Sequence, residues 1–163
     1  MASKNMFPTK NDMPTESRAK MIDLVNQSLA DTFDLMSQTK QAHWNVKGRQ
    51  FIALHELFDT FAEQYAGYVD TLAERVTALG GLAMGTARMA ASNSRLPEYP
   101  TDISESMDHV KALSERYAAY GASVRAAIDI AADGDDADTA DIFTDISRDT
   151  DKNLWFLEAH LQA

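Results

Sequence analysis

Apolar residues recur every three or four positions along four long stretches of the chain, and nowhere alternate with the period of two that a half-buried strand requires. The first stretch predicts a helix from Thr15 to Val46. Ile22, Leu29, Met36 and His43 fall seven apart, with Val25 and Phe33 beside them, making one buried stripe. Gly48 is a natural stop. The second helix is expected from Gln50 to Leu79, with Leu54, Leu57, Phe58, Phe61, Tyr65, Tyr68, Leu72, Val76 and Leu79 facing the core. Gly80 and Gly81 end it. The third is expected to start at Asp102, with Glu105 as its capping-box partner, and buries Val110, Leu113, Tyr117, Val124 and Ile128. The segment "DGDDAD" (133–138) breaks that pattern. A fourth helix from Asp138 to Leu161 buries Ile142, Ile146, Leu154, Leu157 and Leu161.

Residues 80–101 are too long for a tight turn between helices. The stretch "AMGTARMAASN" within them suits a short extra helix, which Pro97 and Pro100 stop. Two hairpins joined by one long crossover make an all-α, ferritin-like four-helix bundle, the crossover carrying the extra helix. This bundle domain occupies 15–163. Residues 1–14 hold Pro8 and Pro14 and few apolar side chains, and are expected to form a flexible arm.

Composition narrows the chemistry. Apolar residues make up 45% and charged residues 25%, ordinary for a globular domain. The absence of cysteine excludes disulfides, thiolate metal sites and cysteine nucleophiles. No apolar run reaches the roughly 20 residues that span a bilayer. The N-terminus lacks the apolar stretch of a secretory signal. A cytoplasmic protein without a membrane partner is therefore expected. The net charge of −10 disfavours phosphate backbones and suits a protein that attracts cations, although many cytosolic domains are equally acidic.

The second helix carries another stripe: His55, Asp59, Ala62, Ala66, Asp70 and Glu74. His55 with Asp59, and Asp70 with Glu74, are four apart and share a face. Such a pair alone is usually a surface hydrogen bond, and a histidine on an apolar stripe, such as His43, is usually a satisfied core group. Together the five residues supply imidazole and carboxylate donors suited to Fe²⁺ or Zn²⁺. Asp59 and Asp70, however, lie about 16 Å apart along the axis, while metal–ligand bonds are about 2 Å. One chain cannot close both pairs on one ion. Two copies of the helix packed antiparallel through Ala62 and Ala66 would bring His43, His55 and Asp59 of one chain to Asp70 and Glu74 of the other, twice per dimer. A zinc-hydrolase reading of "HELFD" fails, because Asp59 stands where the motif needs its second histidine.

These segments resemble one family closely. "TKQAHWNVKGRQFIALHELFDTF", "DTLAERVTALGG", "YPTDI", "DTADIFT" and "SRDTDKNLWFLEAHLQ" are similar to the Dps proteins, the small ferritins named DNA-binding proteins from starved cells. The resemblance covers nearly everything after residue 14. It implies a hollow dodecamer that oxidises Fe²⁺, with hydrogen peroxide in preference to oxygen, and stores the ferric mineral, so protecting DNA from oxidative damage. It places the ferroxidase ligands on His43, His55, Asp59, Asp70 and Glu74 without substitution, at a dimer interface. Zn²⁺ is a further occupant of such a site. Trp44 matches the tryptophan near the centre, although packing is its ordinary role.

By the same resemblance the region of Asp136, Asp141 and Asp145 lines a pore that draws in Fe²⁺, although acidic residues at a helix start are ordinary caps. Glu56 and Glu63 are candidates for mineral nucleation, or simply a solvated face. DNA contacts, and a nucleoid location, would fall to Lys4 and Lys10. That pair is sparser than the family's lysine-rich tail, and the C-terminal "EAHLQA" adds no basic residue. The competing reading is a structural DNA binder without iron turnover.

Overall fold

The computed structural model describes residues 6–162 and contains five helices: α1 (Thr15–Asn45), α2 (Phe51–Ala78), α3 (Ala87–Asn93), α4 (Ser106–Asp133) and α5 (Ala137–Ala159). Helix α1 packs along α2, and α4 along α5. The two hairpins join where α1 meets α4 and α2 meets α5, while α3 lies on α1. Among the described residues there is no strand; Lys47 and Glu105 form an isolated bridge. No described helix is long and apolar enough to cross a membrane.

The expected stripes form the core, except that Leu161 lies beyond the end of α5 and is exposed. Ile22, Val25, Leu29, Leu54, Phe58, Tyr65, Leu72, Val76, Leu113, Tyr117 and Val124 are fully buried, with Leu57, Tyr68, Met36 and Ile142 packed around them. Three phenols cross this core with a shared device. Tyr120 meets Thr32 at 2.6 Å, Tyr117 meets Thr39 at 3.1 Å, and Tyr65 meets Thr150 at 2.7 Å. Each threonine hydroxyl already donates to the carbonyl one turn back, on Ser28, Leu35 or Ile146. The phenol must therefore be the donor in every pair.

Polar residues on the outer side of α1 hold the crossover by its backbone. Asn26 bonds Leu82 O and Met84 N. Buried Asp31 takes Arg95 by its backbone N–H and by its guanidinium, at 2.6–3.0 Å. Gln38 donates to Pro97 O and accepts from Arg116, which also donates to Glu98 O.

Two expectations change. Helix α4 begins at Ser106, not Asp102, and Glu105 makes no side-chain cap. Residues before it stay extended because Glu105 bridges Lys47 and Ser106 Oγ donates to Lys47 O, a tertiary clasp that outweighs local capping. The arm, expected to be flexible, is docked over its described part. Phe7 N–H donates to Gly80 O at 2.7 Å, Met6 and Met13 pack on the core, and Arg18 links Met13 O to Leu79 O. Gly80 has φ +86°, and a Cβ there would lie 2.7 Å from Phe7 O, so glycine serves both the helix end and the docking.

Candidate metal centre

The turn between α1 and α2 sets the geometry. Gly48, at φ +105°, reverses the chain within five residues, 46–50, and buried Val46 pins it to the core. The last turn of α1 thus lies beside the first turn of α2. His43 and His55 stack there, ring centroids 3.7 Å apart and planes 20° from parallel. Their Nδ1 atoms engage each other's backbone: His43 Nδ1 lies 2.7 Å from His55 O, and His55 Nδ1 lies 2.8 Å from His43 O. A carbonyl only accepts, so both Nδ1 atoms carry the proton, and in the neutral form of each ring the lone pair sits on Nε2. This reciprocal clasp fixes ring orientation and tautomer as second-sphere partners do for metal-binding histidines. The Phe51 ring covers the outer side of His55, 5.1 Å away.

Asp59 lies one turn beyond His55. Lys40, one turn before His43 on α1, forms an ion pair with it. That hydrogen bond is the main reason the Asp59 carboxyl is held below the usual carboxylate range. Partial desolvation opposes the shift, and charge on His43, Lys40 and His55 adds to it. The Lys40 ammonium also stands 6.0 Å from the Trp44 ring, and Trp44 is 65% exposed, so its own chain does not pack it. Lys40 was not singled out in the sequence, although its place three residues before His43 puts it on the same face.

Asp70 and Glu74 lie at the other end of α2, exposed. Among the described residues of one chain, no three histidine or acidic side chains come together as a metal cluster. The stripe linking the two ends needs one correction. Ala62 is 3% exposed, buried by its own chain, whereas Ala66 and Gly67 face outward. The three-residue step from Asp59 to Ala62 turns the stripe about 60° back toward the core, and the later four-residue steps carry it outward again. A Cβ on Gly67 would touch nothing within 4 Å, so no internal packing demands glycine there. The smooth outer surface of α2 is Glu63, Ala66, Gly67 and Asp70.

The remaining acidic candidates separate sharply. Asp136 is 2% exposed, buried within its own chain. It caps α5 by accepting Thr139 N–H at 3.0 Å and Thr139 Oγ1 at 2.5 Å, and it pairs with Arg75 at 2.6 Å. Capping and a buried guanidinium claim it. Asp141 is exposed at a depression of about 500 Å³ lined by Ala132, Asp135, Ala137, Ala140 and Thr144. Asp145 pairs with Arg148 at 2.8 Å. Glu56, Glu63 and Lys10 are exposed, and Lys4 lies outside the described residues.

A ferritin-like domain family matches residues 22–163. The DNA protection during starvation protein of Agrobacterium fabrum is 53% identical over 154 residues, 94% of this chain and 95% of that one. DpsA14 from Streptomyces coelicolor superposes with a TM-score of 0.91 at 32% identity, covering 98% of this chain and 95% of that one. DpsC from the same organism gives 0.92 at 28% identity, covering 98% and 93%.

Proposed function

The chain belongs to the ferritin-like Dps family, and on that premise we propose that it is a ferroxidase that detoxifies and stores iron at a site shared between two subunits. The observation that carries this reading is the histidine clasp, which holds both Nδ1 atoms on backbone carbonyls and leaves both Nε2 atoms for a ligand, one helical turn from Asp59. Asp70 and Glu74 of a second copy complete the set. His55 with Glu74, and Asp59 with Asp70, share one midpoint, between Gln64 and Tyr65. A two-fold axis at that height, with α2 antiparallel to its mate across Ala66 and Gly67, matches both pairs at once and makes two sites.

Iron is the substrate. Neutral imidazole and carboxylate donors accept Fe²⁺, and three carboxylates favour the ferric state through their negative charge. Two ferrous ions each give one electron to hydrogen peroxide. Its O–O bond breaks and two hydroxides form, with no hydroxyl radical released. The exposed acidic faces suit a hollow twelve-subunit cytoplasmic shell, with Asp141 guiding Fe²⁺ inward and Glu56 and Glu63 meeting the mineral. DNA protection then needs no direct DNA contact, in keeping with the acidic surface.

Anaerobic Fe²⁺ titration of the assembled protein, followed by peroxide or oxygen in a stopped flow, tests this. Rapid ferric absorbance at two irons per peroxide is expected, faster with peroxide than with oxygen. No turnover at neutral pH would defeat it. A second prediction concerns Lys40, whose ammonium competes with the cation for Asp59. A solvent-screened ion pair of this kind is weak. Lys40→Met should therefore tighten Co²⁺ binding by no more than about five-fold, read by anaerobic calorimetry. Weaker binding would mean that Lys40 positions Asp59 instead of competing for it.

A further inference from the structure

The bundle holds a continuous array of aromatic rings that the iron site does not use. Trp155 touches Phe156 at 4.9 Å between centroids, Phe156 reaches Phe61 at 6.4 Å, and Phe61 reaches Tyr117 at 5.8 Å. Tyr117 meets Tyr65 at 5.4 Å, and Tyr65 meets Tyr120 at 5.7 Å and Tyr68 at 5.9 Å. Such spacing lets an electron vacancy pass among the indole and the phenols, tunnelling across the two phenyl rings that lie between Trp155 and Tyr117. Where it stops depends on the proton, because an oxidised phenol is a strong acid and persists only if a base takes its proton.

The chain has five tyrosines, and their hydrogen bonds differ. Tyr65, Tyr117 and Tyr120 donate to threonine hydroxyls whose own protons are committed, so none of them has a base. Tyr99 has His109 at 2.7 Å, but among the ring contacts described it meets only His109 and lies 5.4 Å from the Arg116 guanidinium, whose charge opposes oxidation. Tyr68 alone combines membership of the array with a carboxylate. Its hydroxyl donates to Asp149 Oδ2 at 2.5 Å, with Asp145 at 3.3 Å. The Gln64 amide also donates to Asp149 and is itself held by Asn153 at 2.7 Å, so the acceptor is fixed.

We propose that Tyr68 and Asp149 form a proton-coupled redox pair, the terminal sink for one-electron oxidising equivalents collected by the aromatic array. The Tyr68 hydroxyl donates to the Asp149 carboxylate, so when the ring is oxidised its proton passes along that hydrogen bond and electron and proton leave together. The source rests on the ferroxidase reading. A lone Fe²⁺ reduces peroxide to hydroxide and hydroxyl radical, leaving Fe³⁺. The radical takes an electron from the array, ending on Tyr68, and a proton relayed through Asp149, becoming water. A later Fe²⁺ returns the electron, the phenol regains its proton, and two Fe²⁺ have again consumed one peroxide. Tyr68 lies two residues before Asp70 on the opposite side of α2, so the centre is about one helix diameter away, 10–12 Å.

Azide radicals generated by pulse radiolysis oxidise the assembled, iron-free protein and test the pair without iron chemistry. The expected result is a tryptophan radical decaying as a tyrosyl radical grows, with a solvent deuterium effect on the growth. Tyr68→Phe should remove most of the tyrosyl signal, and Asp149→Asn, which keeps the phenol, should slow its growth several-fold and abolish the isotope effect. Tyr99→Phe should change nothing. A tyrosyl radical of undiminished yield in Tyr68→Phe, or of unchanged rate and isotope effect in Asp149→Asn, overturns the proposal. Freeze-quenched samples given Fe²⁺ below one ion per site and then peroxide should show the same Tyr68 signal. A radical in the iron-free arm, with no Fe²⁺ oxidation here, would overturn the ferroxidase reading and leave the pair standing.

Discussion

Two inactive variants of this protein, co-expressed in one cell, should regain about a quarter of wild-type ferroxidase activity. One variant loses the histidine half-set, as His55→Ala with Asp59→Asn. The other loses the carboxylate half-set, as Asp70→Asn with Glu74→Gln. Each alone forms dimers with two damaged sites, and its peroxide-dependent Fe²⁺ oxidation should fall by at least about a hundred-fold, beyond the 10–100-fold cost of disturbing mere second-sphere partners. In a mixed dimer one site inherits both lesions, while the other combines two intact half-sets. Random pairing makes about half the dimers mixed, each with one good site of two, hence the quarter. Distinct affinity tags isolate the mixed assemblies, and stopped-flow absorbance measures their rate. A site contained in one chain would give no recovery. Assembly into particles of wild-type size separates loss of chemistry from loss of structure.

That experiment follows from an argument already available in the amino-acid order. Helical rise alone separates Asp59 from Asp70, and the fold keeps that separation because α2 runs unbroken from Phe51 to Ala78. The four long helices were legible because their stripes are long and because Gly48, Gly80 and the 133–138 segment mark the breaks after the first three. What escaped depended on residues distant in sequence. The start of α4 is set by Lys47 meeting Glu105 and Ser106, which no local capping rule contains. The docking of residues 6–14 depends on the left-handed Gly80 receiving Phe7. Ala62 fell on the core side because the three-residue step from Asp59 turns it about 60° back toward Phe58 and Phe61. In the site, His43 and His55 were identified, but their mutual use of backbone carbonyls was not, since it requires the exact closure of the 46–50 turn.

Asp136 and Asp141 look interchangeable in the sequence, and their replacements should fail in opposite ways. Asp136→Ala should destabilise the subunit by about 3 kcal/mol, the lower end of the cost of breaking a buried ion pair. It removes the α5 cap on Thr139 and strips Arg75 of its close partner. Arg75 keeps Asp138 at 3.7 Å and Thr139 Oγ1 at 2.8 Å, which limits the loss. For a chain of this size the melting temperature should fall by about 6–12 °C, measured at fixed protomer concentration because assembly contributes to stability. Initial iron uptake, corrected for folded protein, should stay near wild type. Asp141→Asn touches only the exposed depression at the start of α5. Its stability should remain within about 0.5 kcal/mol of wild type. Fe²⁺ uptake should instead slow several-fold at low ionic strength, and added salt should narrow the gap, because a surface charge acts over only about 10 Å at 0.1 M salt. Equal uptake rates for Asp141→Asn and wild type at low salt would remove Asp141 from the iron path. An Asp136→Ala protein of normal stability but slow uptake would return Asp136 to it.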